Sequence, residues 1–339
     1  MASKRQTIIN LIKENTILTK PQIAEIMEVS LTTTNKYVNE LVKEGIVIED
    51  IVDRVKTEGK PPIFYKINSE HKNLVGFYLS SNKIEIIITD NLGKEQNRFS
   101  TLIKNNNEFT KEILCSEIIS VIKKYDLKDK IKMISIGIPG VLDENDDIAE
   151  IPSLPKLDKI NLKKFLTEKL ELPVIIENDV NLTVKALHTE EEYKQYRNLV
   201  YFFIKNGIGG GIITTETLYK GSSNFSGEFA YLALDEEYMT KYKIISPENL
   251  EKYFIEKLTS NDKIRFMLFI ILRIISTLNP EVIIFETDYL KKSDIDTLNK
   301  KLECFLGESH IPEITLITNN DLGVYGTIAN ALEAFYSED

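Results

Sequence analysis

Glycine is sparse in this chain except in one place. Six of its 15 glycines (207, 209, 210, 211, 221 and 227) fall within 21 residues. They belong to Asn206-Gly-Ile-Gly-Gly-Gly-Ile-Ile213 and the stretch that ends in Gly227-Glu228. Such clustering marks backbone that needs positive φ or the close approach of a ligand. Just upstream, Ile175-Ile-Glu-Asn-Asp-Val-Asn181 reads as a buried strand ending in polar groups.

A chain of 339 residues has room for two or three domains and a sizeable core. Its 42% hydrophobic and 28% charged residues are those of an ordinary soluble globular protein. The longest apolar run, Phe266 to Leu278, is short and broken by Arg273, so no membrane span is expected. Met1-Ala-Ser-Lys-Arg-Gln leads into an amphipathic stretch with Lys13 and Glu14, which does not read as a signal peptide. Cys115 and Cys304 have no partner spacing and read as small core residues. A cytoplasmic location follows as the expectation. The net charge of −10 is unevenly spread: residues 1–70 hold ten basic and ten acidic side chains, and the remainder 32 and 42. An acidic body argues against broad nucleic-acid binding, and a neutral N-terminal segment needs one locally basic face to bind DNA.

The first seventy residues have the layout of a winged helix-turn-helix. Ile8, Ile9, Leu11 and Ile12 give a helical stripe from Ser3 to Glu14. Thr19-Lys20-Pro21 caps a second helix that buries Ile23, Ala24 and Met27, and Glu28-Val29-Ser30 makes a short turn. The third helix runs from about Leu31 to Glu44, burying Val38, Leu41 and Val42 before Gly45 stops it. Its N-terminal part, the part that enters the major groove in this motif, presents Thr32, Thr33, Thr34, Asn35, Lys36 and Tyr37. These are small donors and acceptors suited to base edges and phosphates. Two strands, Ile46–Asp50 and Pro62–Ile67, flank a basic wing containing Arg54, Lys56 and Lys60. The third helix carries no arginine, which predicts few guanine contacts and modest affinity.

From Leu74 onward, strands and helices alternate. Three strands (74–80, 84–90, 95–101) precede a helix near 108–125. A strand at 133–138 ends in Pro139-Gly140, and helix 162–170, strand 173–176 and helix 180–188 follow. Strands at 198–204 and 210–215 open a second half, with helices near 247–259, 261–278 and 293–306, strands at 281–285 and 314–317, and a last helix from 322 to 336. This predicts an α/β body of two lobes, each with a mostly parallel sheet, and a cleft between them for a ligand.

Several landmarks stand in a fixed order: Gly137-Ile-Pro-Gly140, Glu177-Asn-Asp179, Gly207-Ile-Gly-Gly-Gly211, Gly227-Glu228, Asn279-Pro280-Glu281 and Gly323-Val-Tyr-Gly326. In that order the body resembles the ROK family of repressors and sugar kinases over essentially its full length. The wing segment Glu58-Gly-Lys-Pro-Pro62 is similar to the Gly-Arg-Pro-Pro wing of ROK repressors, with Lys60 at the arginine position. The resemblance implies an actin-like sugar-kinase fold with ribonuclease-H-like sheets. It divides the chain into a DNA-binding domain (1–70), a first lobe (71–190, to which helix 321–339 returns) and a second lobe (191–320).

The resemblance further implies that Asn178 and Asp179 hold sugar hydroxyls, that Glu228 is a second sugar carboxylate and that Tyr231 stands where a histidine binds. Pro139, Gly140 and Ser153 fall where the family contacts the ring. A carboxylate with an amide suits a diol, although Asn178-Asp179 also suits the cap of the helix that follows. Family kinases begin their first hairpin with Asp-x-Gly-Gly-Thr. Here the segment is Gly76-Phe-Tyr-Leu-Ser-Ser-Asn82, without the aspartate or the glycine pair. After the Asn-Pro-Glu strand, where kinases have glycines, stands Phe285-Glu286-Thr287-Asp288, whose carboxylates repel phosphate. Glu228-Phe-Ala-Tyr231 lacks the zinc histidine, and no cysteine lies between 116 and 303, so no zinc is expected; Tyr231, Tyr238 and Tyr242 are expected to pack that wall instead. The expectation is a homodimeric or homotetrameric sugar-responsive repressor with no cofactor and no metal. Its partners would be operator DNA and a sugar or sugar phosphate, with no membrane. A sugar kinase with an N-terminal appendage and a ligand-blind DNA-binding scaffold are the alternatives. His71, His188 and His310 sit outside every motif.

Overall fold

The computed structural model describes residues 4–50, 62–80, 82–145, 147–205, 207–241, 246–318 and 322–337. At the N-terminus, helices Lys4–Asn15, Lys20–Ile26 and Leu31–Lys43 pack around Ile8, Ile12, Ile23, Val38 and Leu41. Local chemistry sets their ends. Thr19 and Gln22 form a reciprocal capping box with Pro21 in the first turn. The Ser30 hydroxyl accepts the Thr33 N–H at 3.2 Å and caps the third helix. Strands Val47–Asp50 and Phe64–Ile67 pair antiparallel, Val47 opposite Ile67, and the short strand Leu18–Thr19 joins the same sheet. Arg54, Lys56 and Lys60 of the expected wing lie outside the described residues.

Two five-stranded sheets form the body, and they share one plan. In the first, strands Asn73–Leu79, Lys83–Asp90 and Glu95–Leu102 run antiparallel in sequence order, and Ile131–Ile138 and then Val174–Asn178 add parallel to the free side of Asn73–Leu79. In the second, Leu199–Ile204, Ile208–Thr214 and Thr217–Leu218 are the antiparallel set, and Val282–Thr287 and Glu313–Ile317 add parallel. Fully buried runs such as Val282–Thr287 explain why the parallel strands read as continuous apolar stretches. Helices Lys111–Lys124 and Leu162–Leu170 cover one face of the first sheet. Helices Pro247–Thr259, Lys263–Leu278 and Lys292–Glu303 cover one face of the second. The C-terminal helix Leu322–Ser337 lies on the remaining face of the first sheet, against Leu74, Ile87 and Met133.

Two local expectations change. Cys115 is in the core of the first lobe, but Cys304 is exposed at the end of its helix, where its thiol faces the Lys300 carbonyl. A small hairpin, Val141–Leu142 with Ile148–Glu150, goes unsignalled in the sequence and carries the chain back past Gly140.

Candidate functional site

Helix Asp179–Leu187 runs between the two sheets, and the glycines are what let it fit. A Cβ on Gly137 of the first sheet would meet Leu182 Cδ1 at 2.5 Å. On the second sheet, one on Gly209 would meet Val180 at 3.1 Å and one on Gly211 would meet Val184 at 2.5 Å. Gly210 is filled from the other face by the Phe229 ring, which a Cβ would meet at 2.2 Å. The close approach that the glycine cluster foretells is therefore made by the protein's own side chains. Positive φ is confined to Gly221 and Gly227 of that cluster, and a Cβ on Gly227 would meet the Gly210 carbonyl at 2.0 Å.

Asn178 is the N-cap of this helix. Its Oδ1 accepts the N–H groups of Val180 (2.9 Å) and Asn181 (3.1 Å), and its Nδ2 donates to the Gly140 carbonyl at 2.9 Å. The capping role thus holds, and one amide hydrogen remains for a ligand. Asp179 follows as the first helical residue, half-buried, and its carboxylate accepts the Val180 N–H at 2.9 Å. Burial pushes its carboxyl up to about 7 against the pull of that backbone hydrogen bond. The preceding Glu177 is fully enclosed and pairs with Lys220 of the second lobe at 2.6 Å, while accepting from the Asn178 N–H and Asn181 Nδ2, both at 3.0 Å.

Glu228 comes to the same glycine hairpin from the opposite side, through the Gly227 turn against Gly210. Burial first, and then the charges of Glu251 and Glu150, raise its carboxyl above the usual range. Glu251, on helix Pro247–Thr259, accepts the Ile208 N–H at 3.1 Å and is itself raised by burial. No motif marks Glu251 in the sequence. Its only signal is a place beside the buried stripe Leu250, Tyr253, Phe254 and Leu258. Tyr231 is 36% exposed and stacks obliquely on Phe225, 53% exposed, at 5.3 Å between ring centres. The Ser153 hydroxyl is enclosed without a partner among the described residues. Pro139 and Gly140 are half-buried after strand Ile131–Ile138, and a Cβ on Gly140 would meet the Glu150 carbonyl at 2.5 Å. Carboxyls, one amide hydrogen and a phenol are donors and acceptors of the kind a polyol pairs with.

The segments around Tyr78 and Glu286, which depart from the kinase pattern in sequence, are packed with the chain's own side chains. Tyr78 is half-buried here, and its phenol is held well above the usual range by desolvation and then by Asp179. A Cβ on Gly323 would meet the Tyr78 ring at 2.3 Å. Glu286 is buried, pairs with Lys205 at 2.6 Å and accepts from the Tyr201 hydroxyl at 2.8 Å. Of the two carboxylates expected to repel phosphate, Glu286 is thus paired inside the second lobe and Asp288 is exposed. Tyr238 is fully buried against Tyr253, with ring centres 4.5 Å apart, so aromatic packing does line that wall; Tyr242 is outside the described residues. Among the described residues no three His, Cys, Asp or Glu side chains are grouped to hold a metal ion.

On the third N-terminal helix, Thr32 and Lys36 are exposed, and Thr33, Asn35 and Tyr37 are half-buried, with the Lys36 ammonium 5.5 Å from the Tyr37 ring centre. Thr34 is a correction: it is fully buried, its hydroxyl pointing back to the Ser30 carbonyl, and it cannot reach DNA. Leu31, 48% exposed, and Asn39, which accepts from Lys20 at 2.7 Å, share the open face and were not singled out in the sequence. Lys56 and Lys60 remain outside the described residues.

Residues 1–48 match a winged helix-turn-helix DNA-binding model, and residues 75–243 match the ROK family. The xylose repressor of Bacillus subtilis (strain 168) is 30% identical over 234 residues, covering 68% of this chain and 60% of that protein. The N-acetyl-D-glucosamine kinase of Mannheimia succiniciproducens is 28% identical over 164 residues, covering 48% of this chain and 53% of the kinase. The chain thus spans about 60% of the length of the repressors it matches. Among solved structures, a ROK family transcriptional regulator homologous to the E. coli MLC protein superposes with a TM-score of 0.78 at 15% identity, covering 98% of this chain and 96% of that one. The ROK hexokinase of Thermus thermophilus gives 0.60 at 17% identity, covering 78% of this chain and 99% of the hexokinase. Both show the same fold. No helix among the described residues is long and apolar enough to cross a membrane. With a winged helix-turn-helix at its front and the twin-sheet body behind it, the chain belongs to the ROK family.

Proposed function

We propose that this protein is a sugar-responsive transcriptional repressor of carbohydrate-utilisation genes that performs no phosphoryl transfer. Residues 1–70 are its DNA-binding domain, 71–190 its first lobe with the C-terminal helix, and 191–320 its second. The observation that carries this reading is a recognition helix with Thr32 and Lys36 exposed, fused to a body that retains Asp179 and Glu228. Thr32, Thr33, Asn35, Lys36 and Tyr37, with Lys56 and Lys60 of the wing, contact operator DNA. Asn178, Asp179, Glu228, Tyr231, Pro139, Gly140 and Ser153 contact the sugar. The protein works in the cytoplasm as a dimer or tetramer. Half-sites read by a two-fold dimer lie about 34 Å apart.

Sugar releases DNA only if it prefers the arrangement that binds DNA poorly. Loss of kinase chemistry follows from the same residues. Phosphoryl transfer depends on positioning and charge neutralisation. Tyr78 and the segment around it offer neither a metal carboxylate nor open glycine backbone.

Fluorescence anisotropy on duplex DNA from the protein's own upstream region tests the reading. D-xylose, D-glucose and N-acetyl-D-glucosamine, with their phosphates, are the titrants. Specific binding released by one sugar is the expected result. Binding indifferent to all of them, and unaltered by Asp179→Ala with Glu228→Ala, favours the ligand-blind scaffold. ATP-dependent phosphorylation of any of these sugars, abolished by Asp179→Asn, restores the kinase.

A further inference from the structure

The C-terminal helix Leu322–Ser337 has two working faces. On one, Val324, Ile328, Ala331 and Phe335 recur at helical spacing and enter the same hydrophobic cluster as Ile8, Ile9 and Ile12 of the first N-terminal helix. The Lys13 ammonium lies 5.1 Å from the Tyr336 ring centre, and the Tyr336 hydroxyl donates to the Asn91 carbonyl at 2.7 Å. On the other face, Gly323, Gly326 and Asn330 meet the first sheet and helix Asp179–Leu187. A Cβ on Gly326 would meet the Leu182 carbonyl at 2.0 Å, so the two helices cross backbone to backbone. Lys185 bridges that crossing to Asn330 at 2.7 Å and to Glu333 at 2.6 Å. One rigid element therefore touches both the helix whose first residue is Asp179 and the first helix of the winged domain. The junction also holds a fully buried Asn91 side chain whose amide nitrogen and oxygen both lack partners among the described residues. A packed interface with such a defect is a natural place for a second arrangement.

We propose that helix Leu322–Ser337 is the coupling element: displacement of helix Asp179–Leu187 is passed through the Gly326 crossing and Lys185 to the seat of the winged helix on Val324, Ile328 and Phe335. Its regulatory meaning rests on the repressor reading, but the coupling itself is a mechanical property that exists without DNA or sugar. Packed elements transmit displacement as bodies, and a close helix crossing leaves no slack to absorb it.

Hydrogen–deuterium exchange on the full chain tests this, with neither DNA nor sugar present. Gly326→Ala forces the two helices apart. We expect several-fold faster exchange in Asp179–Leu187 and also in Lys4–Asn15. Leu298→Ala, a buried truncation in the second lobe, is the control and should leave Lys4–Asn15 unchanged. If Gly326→Ala does not fold, Lys185→Met loosens the same crossing more gently and should give the same pattern. Faster exchange in Asp179–Leu187 with Lys4–Asn15 untouched overturns the proposal, as does no change in either segment or equal loosening of Lys4–Asn15 by the control. A coupled protein that binds no DNA refutes the repressor reading alone.

Discussion

A carboxyl that titrates near neutrality opposes folding whenever it is ionised. Asp179 is raised by burial to about 7, well above the ordinary aspartate. The unfolded chain therefore releases this proton first as pH rises, so the native state is favoured below about pH 4 and loses that advantage as pH rises through about 7. Asp179→Asn removes the penalty and should stabilise the protein by roughly 2–4 kcal/mol at pH 8, with the gain vanishing near pH 4. Urea unfolding at the two pH values checks it, and an equal gain at both would remove Asp179 as its source. The same substitution should abolish sugar binding, the familiar exchange of activity for stability at a functional site. Residue chemistry of this kind was partly visible in the sequence. Asn178-Asp179 stood out because a polar pair at a strand end suits both a helix cap and a diol, and Asn178 does serve as the cap. Glu251 did not, because a glutamate on an amphipathic helix looks like any solvated one until the hairpin at Ile208 is folded against it. Tyr78 was seen only as a missing aspartate; its partners Thr183 and Asp179 lie a hundred residues away in sequence.

At the level of elements, periodicity carried most of the information. Helices Leu162–Leu170 and Pro247–Thr259 begin and end where their apolar spacing and caps place them. The antiparallel start of the first half was readable because three strands precede its helix; in the second half the two-residue strand Thr217–Leu218 is too short to signal itself, and both sheets carry as many antiparallel pairings as parallel ones. Two glycines of the cluster take the positive φ expected of them, and Gly209, Gly210 and Gly211 admit the chain's own side chains, because sequence records that something approaches closely and not what does. The third helix supplies the sharpest test of reading a face from spacing. Thr34 follows two outward-looking threonines yet lies four residues before Val38, on the stripe that packs inward. Thr34→Ala should cost about 1 kcal/mol of stability through its lost packing and hydrogen bond, and leave operator affinity unchanged once the folded fraction is corrected for. Lys36→Ala should do the reverse: unaltered stability, weaker binding to every DNA sequence, and a salt slope smaller by about 1. Anisotropy across a salt series separates the two, and an intact slope for Lys36→Ala would refute its phosphate contact.

At the scale of the molecule, the pair Lys220–Glu177 ties one lobe to the other. Glu177 is enclosed at the end of the first sheet, and Lys220 reaches it from the loop after the second sheet's hairpin. Lys220→Met strands a buried carboxylate and should cost about 2–4 kcal/mol, less than a fully buried pair because Lys220 keeps part of its side chain in solvent. Adding Glu177→Gln should recover part of the loss, and a strictly additive double variant would show the two groups to be energetically independent. A second tie lies farther along the same loop, where the Asn224 amide donates to the Asp143 carbonyl of the first lobe. The rim between Lys220 and Gly227 thus belongs by sequence to one lobe and by attachment to the other. Separating the lobes about a hinge must therefore break these ties or strain the loop that carries them. Loosening Lys220 should let the two lobes part more easily.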